Sequence, residues 1–135
     1  GAINIPEINV HRMLAELSPT HAAAEYERDL AQHFKLTPGT TPPQFDLMLL
    51  GMGPDGHTAS LFPGTPALDE RQRWVVPNRV DKLDSWRLSL TFPVLNAARQ
   101  VAFLVSGADK AAPLSQVLSQ GQNSGLPAAR VQPKH

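Results

Sequence analysis

Apolar positions recur along the chain in two rhythms. From Thr20 to Phe34 the residues Ala22, Ala23, Tyr26, Leu30 and Phe34 fall on one helical face, with Glu25, Glu27, Arg28 and Asp29 outside it. That spacing predicts an amphipathic helix, and Ser18-Pro19-Thr20 supplies its start signals. Phe45 to Leu50 and Val101 to Val105 are instead nearly unbroken apolar runs, each stopped by a glycine-containing turn. Their length predicts strands buried on both faces, the habit of central strands in parallel sheets. Arg87 to Phe92 alternates polar and apolar residues and predicts a further strand, after which Pro93 opens a short helix through Ala98. Ala108 to Leu118 reads as a helix with Leu114 and Leu118 on one face and Pro113 in its first turn. Short extended pieces are expected at Val10 to Met13, Arg73 to Val76 and Ala128 to Val131. Loops or turns are expected at Thr37 to Pro43, Asp81 to Ser85 and Gly121 to Pro127.

Buried-type strands alternating with helical pieces imply an α/β fold: a mainly parallel, Rossmann-like sheet with helices on both faces, in one domain over residues 1–135. Ligands of such sheets sit at the carboxyl ends of strands. Three loops therefore share the expected site edge: Gly51 to Phe62, the region of Arg87, and Ser106 to Lys110. Thirteen prolines among 135 residues are about twice ordinary usage, but they stand singly or in pairs between apolar segments, as loop punctuation rather than as a disordered tract.

Composition narrows the function class. Lys+Arg 12 offsets Asp+Glu 12, so there is no basic face for nucleic acid and no polybasic membrane anchor. The cysteine count is zero, which removes disulfides, Cys-ligated zinc, iron–sulfur clusters and thiol catalysis. No apolar run approaches the roughly 20 residues that span a bilayer, and the first residues carry no signal-peptide pattern; a soluble, cytoplasmic protein is the expectation. Gly1-Ala2 informs no function.

The unusual passage is Gly51-Met52-Gly53-Pro54-Asp55-Gly56-His57-Thr58-Ala59-Ser60-Leu61-Phe62-Pro63-Gly64, where three glycines within six residues permit a close approach of backbone and ligand. Of five histidines, His57 alone lies in this strand-end loop. An unperturbed imidazole titrates at about 6.5, so near neutrality it can take a proton from water. Asp55, two residues away, could fix its tautomer, or could equally be a plain turn residue. His11, His21, His33 and His135 have no nearby partner of matching chemistry in the sequence. His21 and His33, twelve apart, do not have the spacing of a metal pair. Gly51-x-Gly53-x-x-Gly56 only superficially matches a dinucleotide fingerprint, since Pro54 and the Asp55-Gly56-His57 core would crowd a pyrophosphate. Asp69 and Glu70 make unconvincing ribose partners, and the Walker lysine is missing. Lys110, in a loop that opens a helix, and Arg87 are the candidate anion ligands; either could also be an ordinary solvated cation.

Leu49 to Pro63 closely resembles the signature of the 6-phosphogluconolactonases. Arg87-Leu88-Ser89-Leu90-Thr91-Phe92-Pro93-Val94-Leu95-Asn96-Ala97-Ala98 and Phe103-Leu104-Val105-Ser106-Gly107-Ala108-Asp109-Lys110-Ala111 resemble that family's later blocks in the same order, and Asn9-Val10-His11-Arg12 resembles the segment before them. The resemblance covers nearly the whole chain. It implies hydrolysis of 6-phospho-D-glucono-1,5-lactone to 6-phospho-D-gluconate in the oxidative pentose phosphate pathway, with no metal and no cofactor. His57 would be the general base, Asp55 its support, and Arg87 and Lys110 the phosphate ligands. Gly51, Gly53 and Gly56 would line the substrate, and loop geometry suggests N–H groups of Gly53 to Gly56 for the oxyanion. The related glucosamine-6-phosphate deaminases share the Gly-x-Gly-x-Asp-Gly-His core but continue with a glutamate-bearing stretch. Thr58 to Pro63 here has no carboxylate, so the hydrolase is preferred. Family members carry further strands, a phosphate loop and an arginine motif before the region of Gly1, and run on beyond Lys134-His135. The expectation is therefore the C-terminal part of a lactonase, with a phosphosugar-binding module that does not turn over as the alternative.

Overall fold

The computed structural model describes residues 4–133; the positions of Gly1, Ala2, Lys134 and His135 lie outside them. The first helix, α1, spans Pro19–Phe34. Pro19 at its first position loses nothing by lacking an N–H, and Lys35 closes it in the left-handed region at φ 55°. Its apolar stripe buries Ala22, Ala23 and Leu30, against the hairpin of β2 (Val75–Val80) and β3 (Ser85–Leu90). This hairpin is antiparallel, in the register Val75↔Leu90 to Val80↔Ser85. Pro77 is tolerated within β2 because that strand pairs on one side only.

The expected parallel pairing is present between β1 (Met48–Leu50) and β4 (Val101–Phe103), in the register Met48↔Val101 to Leu50↔Phe103. Both runs are shorter and barer than their composition predicts. Met48 is buried, but Leu49 is 62% exposed and Leu104 69%. Side chains alternate in β1, which turns Leu49 outward beside buried Met48, whereas along the β4 run the adjacent Phe103 and Leu104 are both exposed. The core of the molecule lies on the inward side, where Trp74, Leu61, Val94 and Leu95 are fully enclosed together with Met48, Val75 and Phe92.

After β3 the chain turns directly into α2 (Phe92–Ala97), with Pro93 in its first turn, and after β4 a short 3-10 turn over Ala108–Lys110 leads into α3 (Ala111–Gln120). Two expected extended pieces are not strands. Residues 10–13 carry no ladder, and Pro127–Arg130 is a 3-10 turn. The latter serves the glycine loop: the Ala128 N–H donates to the Gly56 carbonyl at 2.9 Å, and Leu126 packs on Gly56. A 3-10 turn also replaces the expected loops at Asp81–Leu83 and Gly121–Ser124.

Candidate active site

The chain leaves β1 at Leu50 and folds back on itself through the glycine passage. The Gly53 N–H donates to the His57 carbonyl and the Gly56 N–H to the Gly53 carbonyl, both at 2.9 Å, while the Thr58 hydroxyl donates to the Gly51 carbonyl at 2.8 Å. Gly56 has φ +75°, and a Cβ there would press Leu126 at 2.8 Å, so this position admits glycine alone without strain. Ala59 adopts φ 48° without being glycine, a strained turn of the kind that functional loops retain. The next residues are tied to the hairpin: the Ser60 N–H donates to Ser89 Oγ at 3.1 Å, and the buried Asn78 amide donates to the Ser60 carbonyl at 2.8 Å and to Thr65 Oγ1 at 3.0 Å.

This frame brings Asp55 and His57 together. Asp55 Oδ1 lies 2.6 Å from His57 Nδ1 and also accepts the His57 backbone N–H at 3.1 Å. A carboxylate can only accept, so Nδ1 carries a proton, and in the neutral ring Nε2 is the lone-pair atom. Phe62 stacks on the imidazole at 4.0 Å between centroids and 23° between planes. The other carboxylate oxygen, Oδ2, takes a bond from the ammonium of Lys82, which also lies 4.7 Å from the Phe62 ring centroid. Burial pushes the Asp55 carboxyl upward, but the hydrogen bonds from Lys82 and His57 outweigh it and hold the group at about 2. Asp55 is thus a carboxylate at any physiological pH.

Asp55 and His57 line a cavity of about 460 Å³ with Ser60, Phe62, Lys82 and Arg87 among its other walls. The exposed Arg87 side chain has no hydrogen-bond or ion-pair partner among the described residues, which leaves its forked donors available to an anion. A larger cavity of about 550 Å³ is lined by Arg71 and Arg130, each of which gives one guanidinium nitrogen to the Leu68 carbonyl, but no histidine or carboxylate is among its described lining residues.

The remaining candidates fall elsewhere. Lys110 is ion-paired with Asp109 at 2.9 Å and does not line the His57 cavity. Gly51 and Gly53 shape the loop. The expected oxyanion role fails for the N–H groups of Gly53 and Gly56, because both are already used within the loop. His11 and His21 do find matching partners, contrary to the sequence expectation: His11 Nδ1 lies 2.8 Å from Asp29 Oδ2, and His21 Nε2 lies 3.1 Å from Glu25 Oε1. Asp29 lies eighteen residues from His11, a proximity that requires the fold. Lys82, Phe62, Asn78 and Ser89 were not singled out by sequence. Among the described residues, no group of three or more His, Cys, Asp or Glu side chains converges as metal ligands would, and no helix is long and apolar enough to cross a membrane.

Comparison with known proteins agrees on the family. The model described as glucosamine-6-phosphate isomerases/6-phosphogluconolactonase matches residues 1–135. A 6-phosphogluconolactonase of Rattus norvegicus is 48% identical over 131 residues, which cover 96% of this chain and 49% of that protein. A crystal structure of a devB protein superposes with a TM-score of 0.85 at 35% identity, over 97% of this chain and 54% of that one. The 6-phosphogluconolactonase of Thermotoga maritima gives 0.77 at 33% identity, over 96% and 54%. The chain therefore spans about half the length of the relatives it matches, and it belongs to the glucosamine-6-phosphate isomerase/6-phosphogluconolactonase family.

Proposed function

We propose that the protein carrying this chain hydrolyses 6-phospho-D-glucono-1,5-lactone to 6-phospho-D-gluconate, with His57 as general base, and that it acts in the cytoplasm, the compartment its composition suggests. The observation that carries the reading is the His57–Asp55 pair, joined at 2.6 Å in the wall of a cavity that Arg87 also lines.

In this reading Nε2 of His57 accepts a proton from water as the water oxygen bonds to the lactone carbonyl carbon. Asp55 offsets the charge that develops on the imidazolium. Collapse of the tetrahedral intermediate breaks the bond from that carbon to the ring oxygen, and the proton held on Nε2 passes to the departing oxygen, so the base is regenerated. A lactone is an activated ester, and a positioned base with an anchored phosphate supplies most of what its hydrolysis needs. Arg87 is the phosphate ligand the geometry favours; Lys110 would have to exchange Asp109 for the phosphate to join it. The isomerase chemistry in the family's name finds less support, because Asp55 is the one carboxylate among the described residues lining this cavity and both of its oxygens are engaged.

The test is an assay with freshly generated lactone. The wild-type protein should hydrolyse it faster than buffer alone, and His57→Ala should abolish the excess. No excess rate in the wild type overturns the enzyme reading. Binding of 6-phosphogluconate without any excess rate would instead identify a phosphosugar-binding module.

A further inference from the structure

Lys82 stands in the 3-10 turn Asp81–Leu83 that joins the two strands of the hairpin, twenty-seven residues from Asp55 in sequence. Three observations meet on it. Its ammonium bonds Asp55 Oδ2, it lies 4.7 Å from the centroid of the Phe62 ring that stacks on His57, and it lines the same cavity as His57 and Arg87. The two oxygens of Asp55 are thereby divided, Oδ1 serving the backbone and ring nitrogens of His57 and Oδ2 serving Lys82. An isolated exposed ion pair contributes little to a fold. Here the cation fixes the rotation of a carboxylate whose other oxygen decides which nitrogen of the imidazole carries the proton.

We infer that Lys82 is a positioning residue for the dyad: by holding Asp55 Oδ2 from the hairpin turn and lying against Phe62, it keeps Asp55 Oδ1 on His57 Nδ1 and Nε2 free to act as base. The inference rests on the lactonase reading for its kinetic consequence, but its structural content does not depend on that reading. Without Lys82 the carboxylate turns more freely, and the imidazole samples both neutral tautomers.

The experiment compares Lys82→Met, which keeps an apolar stem and removes the charge, with Lys82→Arg, which keeps the charge. Lys82→Met should lower kcat about tenfold with KM within about twofold, and Lys82→Arg should restore most of the rate. Nitrogen NMR of the ring, read without substrate, should show the Nδ1-protonated tautomer in the wild type and in Lys82→Arg, and a mixture in Lys82→Met. A single Nδ1-protonated tautomer in Lys82→Met overturns the inference. So does a raised KM with kcat unchanged, which would make Lys82 a substrate ligand instead. A wild type without lactonase activity removes the lactonase reading, while the tautomer comparison still decides the role of Lys82.

Discussion

A Cβ on Gly53 would stand 2.1 Å from both Cε1 and Nδ1 of His57 and 2.9 Å from Asp55 Oδ1, so the bare backbone of this glycine is the seat on which the imidazole rests. The atoms in the way belong to two half-buried side chains, His57 and Asp55, rather than to backbone. The fold can therefore accept Gly53→Ala by moving the ring, and moving the ring is what the proposed base chemistry cannot accept. Displacement of a catalytic group by about 1 Å costs on the order of 100-fold in rate. Gly53→Ala should lower kcat at least about 100-fold, while Tm falls by only a few degrees, about what 1 kcal/mol costs a domain of this size. Parallel kinetics and thermal melts check it. A large fall in Tm, or retained activity, would show that the loop does not seat the ring as described.

At the scale of elements, the hairpin holds the loop in place. Asn78 is 2% exposed, and its amide bonds both the Ser60 carbonyl and Thr65 Oγ1, joining β2 to the segment that follows His57. Removing it leaves the half-buried Ser60 carbonyl and Thr65 hydroxyl without that donor, a cost of about 1–3 kcal/mol. Asn78→Ala should lower stability by that amount in denaturant titration and weaken activity as the loop loosens; an unchanged midpoint would refute the anchoring. Sequence pattern reached part of this arrangement. Helix α1 was legible because its stripe is local, and His57 and Asp55 because two residues separate them. Asn78 and Lys82 were not, since their partners lie 18 and 27 residues away and only the hairpin brings them near. The runs at β1 and β4 misled on burial for a related reason. Composition shows that a segment is apolar, but the number of neighbouring layers decides whether Leu49 and Leu104 are covered.

Across the whole molecule the balance of 12 acidic against 12 basic residues makes the low-pH limb of stability the informative one. Acid neutralises the carboxylates and leaves twelve Lys+Arg and five His unopposed. Two carboxylates that are tied into the frame have their carboxyls held low. Glu70 accepts the backbone N–H groups of Arg71, Gln72 and Arg73 at 2.8, 2.7 and 3.0 Å, just before the chain enters Trp74 and β2. Burial raises its carboxyl, but these bonds and the Arg73 side chain outweigh that and bring it to about 2, as Lys82 and His57 do for Asp55. A carboxyl lowered in the folded state from its usual value of about 4.3 stabilises fully above that value, and the contribution is lost as pH falls toward 2. For Glu70, after solvent screening, it is on the order of 1 kcal/mol. Glu70→Gln should therefore lower Tm by a few degrees at pH 7, with the gap to wild type narrowing below about pH 4.5 and closing near pH 2. Thermal melts of both proteins across that range test it. A gap that stays constant with pH would mean that Glu70 caps the turn by shape rather than by charge.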